Sequence, residues 1–149
     1  MLGQLNEIQI SNLLTGQLIG RIACTDGEQN YIIPLTYTYD GNYIYGQTNE
    51  GMKLDILRKN PLVCFKVDMT TEMRNRQSAI VFGRFEELKG IEAQKAREML
   101  LSHIFEMLTS SNFHPFEHDV SGQVDDTAGG KNVMYRIRIK KITGRFEKR

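Results

Sequence analysis

The sequence predicts a predominantly β, α+β domain in which six antiparallel strands close into a barrel with peripheral helices. Three observations carry this reading. Six segments rich in β-branched and aromatic residues lie between breaks marked by Gly, Asp, Asn or Pro. Only three segments show the helical period. Helices this few do not cover the edges of a sheet with strands this long, so closing the sheet on itself is the simplest way to hide them.

The elements follow in order along the 149 residues. Leu5, Ile8, Leu13 and Leu14 share one helical face, which predicts a short docking helix over Leu5 to Leu14. Gly16 and Gly20 punctuate the chain, and Arg21 to Thr25 is a strand ending at Asp26-Gly27. Tyr31 to Tyr39 is dense in β-formers and joins Tyr43 to Gln47 through Asp40-Gly41-Asn42, a hairpin signal. Met52 to Asn60 reads as a two-turn helix stopped by Pro61, because proline disfavours helix at the residue before it. Leu62 to Met69 puts Val63, Phe65, Val67 and Met69 on one face of a strand. Polar Thr70 to Arg76 reads as a loop, and Ser78 to Leu88 as a long strand containing Gly83. After Gly90, Ala96, Met99, Leu100, His103, Ile104, Met107 and Leu108 recur at the helical period and predict a helix over Ile91 to Leu108. Ser110 to Asn132 shows no period, and a connection of that length is either functional or mobile. Val133 to Arg145 alternates Val133, Tyr135, Ile137 and Ile139 against Met134, Arg136, Arg138 and Lys140, the last strand. No repeat or linker appears, so residues 1–149 are expected to form one domain.

Composition narrows the function classes. A chain that is 40% hydrophobic and 25% charged, with formal net charge +1, is ordinary for a globular protein. That balance gives no reason to expect nucleic acid or a membrane surface as partner. The N-terminus lacks a basic start followed by an apolar run, and no apolar stretch reaches the length of a membrane span. Cys24 and Cys64 are far apart within apolar strand-like segments and read as buried thiols of a reducing cytoplasm, with no metal or disulfide pair expected.

Chemistry is suggested first by the turn Tyr45-Gly46-Gln47-Thr48-Asn49-Glu50-Gly51-Met52-Lys53. A cation in the first turn of a helix opposes the macrodipole, at a cost of about a few tenths of a kcal/mol. Two readings follow: a solvated lysine tolerated at an exposed helix start, or an anion site where free backbone N–H groups and an ammonium converge. Pro34 lies in the middle of the strongest strand and cannot donate to a ladder, so it belongs at an edge or bulge. It is either a plain edge proline or a break where the backbone meets a ligand. Gly46 removes side-chain bulk beside the same turn, where a ligand has room to approach. Together these features suggest a planar ring along Ile33 to Thr36 with its phosphate reaching Thr48 and Lys53.

The runs Gly20-Arg21-Ile22-Ala23-Cys24-Thr25, Tyr31-Ile32-Ile33-Pro34-Leu35-Thr36-Tyr37, Tyr39-Asp40-Gly41 and Ile44-Tyr45 resemble the pyridoxamine 5'-phosphate oxidase-like family of FMN-binding split barrels. So do Gly51-Met52-Lys53-Leu54, Asn60-Pro61, Val81-Phe82-Gly83-Arg84 and Ile142-Thr143-Gly144-Arg145, in the same order and over nearly the whole chain. The small flavin-binding branch related to nitroimidazole-resistance reductases is the most similar. The resemblance implies a split β-barrel of Greek-key order and a homodimer with two FMN sites between subunits. It implies that Ile32, Ile33, Pro34, Leu35 and Thr36 line the isoalloxazine ring, largely through backbone. Gln47, Thr48, Met52 and Lys53 would hold the ribityl phosphate, and Ser78, with Gln77, would approach the flavin as well. The implied activity is flavin-dependent oxidation or reduction of an unidentified small molecule, with a nicotinamide as possible donor.

Departures from the family pattern matter. The chain has no Trp and no His in Arg136-Ile137-Arg138-Ile139-Lys140-Lys141, so oxidation of vitamin B6 is not expected. Gln47 stands where nitroimidazole-reductase-like members carry histidine, and an amide hydrogen-bonds but does not titrate. No side chain is identified as a catalytic acid or base. His103 reads as a core histidine; His114 and His118 flank Pro115, which argues against a helical metal pair. Haem-handling relatives of this fold use histidines near the barrel, so a non-catalytic flavin or haem carrier is the alternative function. Phe113 and Phe116 are expected in a flap over the flavin. Arg136, Arg138 and Lys140 are either a solvated strand face or a second phosphate contact.

Overall fold

The chain folds around one long strand that serves several ladders at once. The computed structural model describes residues 1–72, 75–109 and 132–148. Along the chain run β1 (Leu2–Gln4), α1 (Glu7–Gly16), β2 (Ile19–Thr25), β3 (Asn30–Tyr39), β4 (Tyr43–Asn49), α2 (Met52–Lys59), β5 (Leu62–Thr71), β6 (Asn75–Glu87), α3 (Gly90–Thr109) and β7 (Asn132–Lys148). The sheet order is β1-β7-β4-β3-β2-β5-β6, and a further β6–β7 pairing closes β2 to β7 into a ring. All pairings are antiparallel. The seventeen-residue β7 makes this possible: its first half pairs β4, its end pairs β1, and β6 runs beside it from Tyr135 to Lys148. This is the antiparallel split barrel with peripheral helices that the sequence predicts.

Two segments differ from the sequence reading. Thr70 to Arg76 is not a loop: β5 continues to Thr71 and β6 starts at Asn75, with Thr70 opposite Arg76 and Thr71 opposite Asn75. The segment is polar because it is a solvated hairpin arm, steadied by an ion pair from Arg76 to Glu147 on β7. β1 is the seventh strand, unpredicted because three residues show no period. It forms because the end of β7 offers an edge, where Gly3 lies opposite Phe146 and the Phe146 ring fills the space a Cβ would need.

The barrel interior holds Ile22, Ile33, Tyr37, Ile44, Phe65, Val67, Val81, Tyr135 and Ile137. Helices plug its two ends. α1 inserts Leu13 and Leu14, and the Leu14 carbonyl accepts the Tyr37 hydroxyl at 2.5 Å. α2 inserts Leu54, Ile56 and Leu57. Ala96, Leu100 and Ile104 of α3 cover the outside against Leu18, Tyr45 and Met134. Within the predicted α3 face, Leu108 is exposed instead. His103 is a core-side histidine whose Nε2 meets the Gln17 carbonyl at 2.9 Å. The segment 110–131, with His114, His118, Phe113 and Phe116, lies outside the described residues.

Candidate functional site

Among the described residues, the ladder between β3 and β4 is short. β3 pairs β4 only through Tyr37, Thr38 and Tyr39, although β3 begins at Asn30. Over Asn30 to Thr36 its ladder is with β2 alone, and Gln47, Thr48 and Asn49 of β4 pair only with β7. Pro34 falls in this one-sided stretch, opposite Arg21 of β2, where a missing N–H does least harm. Past the pairing limit the two strands part, and α2 begins directly beyond the end of β4.

Alternation along β3 divides the predicted ring-lining residues between two faces. Ile33 is buried in the barrel core and Leu35 packs against it, whereas Ile32 is 71% exposed and Pro34 is exposed on the outer face. Thr36 also faces outward but is buried, as is Gln47, and both have polar partners. Thr48 is half-buried, Met52 is 65% exposed and Lys53 is exposed. Gln47 and Thr48 thus lie at the end of β4, a few residues before Met52 and Lys53 at the start of α2, while Ile32 to Thr36 lie on the stretch of β3 that pairs with β2.

The start of α2 is chemically open. Gly51 occupies the N-cap position with no side-chain cap, and only the Asp55 N–H bond to the Gly51 carbonyl, at 3.1 Å, closes the first turn. The first N–H groups of the helix thus lack a capping side chain. Lys53 has no ion-pair partner among the described residues. Its charge is felt inside the barrel mouth: burial pushes the Cys24 thiol up, and the Lys53 ammonium pulls it partly back. An uncapped helix start with an unpaired ammonium is suited to an anion.

Ser78 is not part of this assembly within one chain. It lies on β6 opposite Asp68 of β5 and Arg145 of β7, separated from β3 by β5 and β2. Three inter-strand spacings amount to roughly 14 Å. The same outer face carries an apolar row in which Ile32, Ala23, Cys64 and Phe82 are successive cross-strand partners. Beside it, Ala23, Leu62, Cys64, Phe82 and Lys140 line a hollow of about 450 Å³. Leu62 is 61% exposed there, and α3 packs on the sheet elsewhere, against Leu18, Tyr45 and Met134.

Three other sequence readings meet a definite outcome. The space above Gly46 is taken by the chain itself, because the phenol of Tyr135 lies where a Cβ would be. No ligand approaches there. The Tyr135 hydroxyl is buried without a hydrogen-bond partner among the described residues, and burial raises its pKa. Arg136 and Arg138 are committed to carboxylates: Arg136 binds Glu86 at 2.8 Å and Glu92 at 3.1 Å, with its guanidinium 4.3 Å from the Tyr43 ring centre, and Arg138 binds Glu86 at 3.1 Å. Cys64 is half-buried on the outer face instead of in the core, while Cys24 is buried; both are free. Sequence reasoning missed Arg58, which binds Glu50 at 2.8 Å and Glu87 at 2.7 Å. Only the contact with Asp55 has a readable helical spacing.

Comparison with known proteins agrees with this architecture. The family model described as pyridoxamine 5'-phosphate oxidase matches residues 6–146, so the chain belongs to that family. A crystal structure of a FAD-binding protein from Mesorhizobium loti is 27% identical, with a TM-score of 0.80, covering 100% of this chain and 98% of the other. A putative 5-nitroimidazole antibiotic resistance protein from Bacteroides thetaiotaomicron has a TM-score of 0.73 at 14% identity, covering 98% and 87% of the two chains. An uncharacterized protein from Rhizobium meliloti is 25% identical over 134 residues, 85% of this chain and 83% of its own.

Proposed function

We propose that this family member binds FMN along β3 and the start of α2 and acts, as a homodimer, as a flavin-dependent oxidoreductase on a small molecule. The observation that carries the reading is Lys53 in the first turn of α2, a helix start with no side-chain cap, where the lysine has no ion-pair partner among the described residues. The residues present fit the cofactor. Gln47, Thr48, Met52 and Lys53 would hold the phosphate, and Ile32, Ile33, Pro34, Leu35 and Thr36 would lie along the ring largely through backbone, since Ile33 and Leu35 turn their side chains to the core. When bound, FMN supplies hydride or electron transfer at its ring nitrogen N5. Among these side chains only Lys53 is charged and none is a carboxylate, thiol or imidazole, so the chain contributes position, water exclusion and hydrogen bonds. The catalytic set stays unassigned.

The homodimer reading is supported by the outer face. Ile32, Leu62 and Phe82 expose apolar surface on one side of the sheet. A second copy covering it would bring its own Ser78, too far along the sheet to serve within one chain, toward the flavin. Two free cysteines fit a cytoplasmic setting.

The test is the absorbance spectrum of the purified protein, then mass identification of what denaturation releases. A yellow protein releasing FMN, bleached by a reduced nicotinamide and recoloured by an acceptor, is the expected result. Release of FAD, the ligand named for the Mesorhizobium protein, would overturn the mononucleotide assignment. Colour without donor-driven bleaching would make the chain a carrier. A red protein would indicate haem, and a colourless one that FMN titration leaves unchanged would remove the cofactor altogether.

A further inference from the structure

We infer that Arg58 is a positioning residue for the phosphate end of the proposed site: it draws the Glu50 carboxylate back along α2 and keeps it off the helix mouth that the anion needs. The inference rests on the phosphate reading above. Glu50 directly precedes the N-cap Gly51. An acidic side chain at that point is attracted to the partial positive charge and free N–H groups of the helix start. Left to itself, Glu50 would compete with any anion binding beside Lys53.

The structure holds Glu50 elsewhere. Nη2 of Arg58 donates to Glu50 Oε1 at 2.8 Å and Nη1 donates to Oε2 at 3.2 Å, a two-bond fork. Arg58 lies in the last turn of α2, and seven residues of helical rise separate it from Gly51 by roughly 10 Å. The fork itself is anchored. Arg58 Nε donates to Glu87 Oε1 at 2.7 Å, and Nη1 lies 3.6 Å from Asp55. Glu87 ends β6, so the guanidinium is fixed to the barrel wall and cannot follow Glu50 toward the mouth. A lysine would keep the charge but lose the planar fork that orients the carboxylate.

The test measures FMN, riboflavin and inorganic phosphate binding to the full-length, flavin-stripped protein, for the parent, Arg58→Gln, Glu50→Gln and the double variant. Arg58→Gln should weaken FMN and phosphate by about ten-fold, the scale of a charge placed at a partly buried helix end, while riboflavin binding is unchanged. The double variant should return FMN affinity to within about two-fold of the parent, because the competing carboxylate is gone. Equal losses of FMN and riboflavin, or a double variant as weak as Arg58→Gln, would show Arg58 to be only a staple between α2 and β6. If Arg58→Gln does not fold, Arg58→Lys and Glu50→Gln/Arg58→Lys give the same contrast. A parent that binds riboflavin as tightly as FMN, with no competition by phosphate, would instead overturn the phosphate site, and the role of Arg58 with it.

Discussion

The starts of α1 and α2 solve the same problem in opposite ways. At α1 the Asn6 side chain accepts the Gln9 N–H at 2.8 Å, and the Gln9 side chain accepts the Asn6 N–H at 2.9 Å, a complete capping box. Glu7 adds a favourable charge in the first turn. At α2 no side chain caps the helix, the nearest preceding carboxylate is tied to Arg58, and the first turn carries a lysine. Both helices plug the same core, with Leu13 and Leu14 from one and Leu54 and Leu57 from the other. Burial of the plug therefore does not decide how a helix start is satisfied. The chain caps one helix start with its own side chains and leaves the other, which carries Lys53, without a side-chain cap.

The largest way to break this contrast is to reverse the charge at the open end. Lys53→Glu should weaken FMN binding by about a hundred-fold, since an attractive charge-assisted contact becomes a repulsive one. The melting temperature of the flavin-free protein should stay the same or rise slightly, because an acidic first turn suits the helix dipole. Flavin titration and thermal unfolding of the same samples check both halves. Equal FMN affinity would make α2 merely a poorly capped helix.

The converse change at the closed end comes next. Asn6→Ala should cost about 1 kcal/mol of stability, the usual worth of an N-cap, with FMN affinity unaltered. Denaturant unfolding and flavin titration measure the two. A loss of affinity comparable to that of Lys53→Glu would mean that the two helix ends are coupled through the core, and the division of labour between them would fail.

How far these two ends were legible follows from how local their causes are. The strands could be read because alternation is local: Val63, Phe65 and Val67 point inward as their spacing requires. Lys53 could be read because it lies two residues after Gly51, a local pattern. β1 could not be read, since it exists only as a partner to the far end of β7. The fork from Arg58 joins Glu50, eight positions away, to Glu87, twenty-nine away, and no periodicity announces it. Gly46 was legible as a close approach but not as to what approaches, because Tyr135 is eighty-nine positions further on and meets it only through ladder register. The outward direction of Cys64 follows from the same alternation that turns Val63 and Phe65 inward.

Cys24 gives the finest probe of the open end, because α1 has no equivalent reporter. Only the thiolate alkylates. Burial raises the Cys24 pKa above the ordinary thiol value of 9.0, and Lys53 opposes that rise. The sign is therefore fixed. A thiol whose folded pKa is raised adds stability that is complete below its unfolded pKa and is lost as pH rises through the folded one. Alkylation of Cys24 should accordingly climb only in alkaline solution, beyond the range where an unfolded thiol already reacts. Neutralising Lys53, by Lys53→Met or by phosphate occupying the α2 mouth, removes the opposing pull and should push the climb to still higher pH. At a fixed mildly alkaline pH the rate should fall within about three-fold, a modest change because the interacting charge is solvent-exposed. Peptide mass mapping after timed alkylation reads Cys24 separately from Cys64, and a small-molecule thiol in the same tube is the reference for reagent and pH. A Cys24 profile that ignores both Lys53→Met and added phosphate would place the Lys53 ammonium away from the barrel mouth and leave the open helix end without its cation.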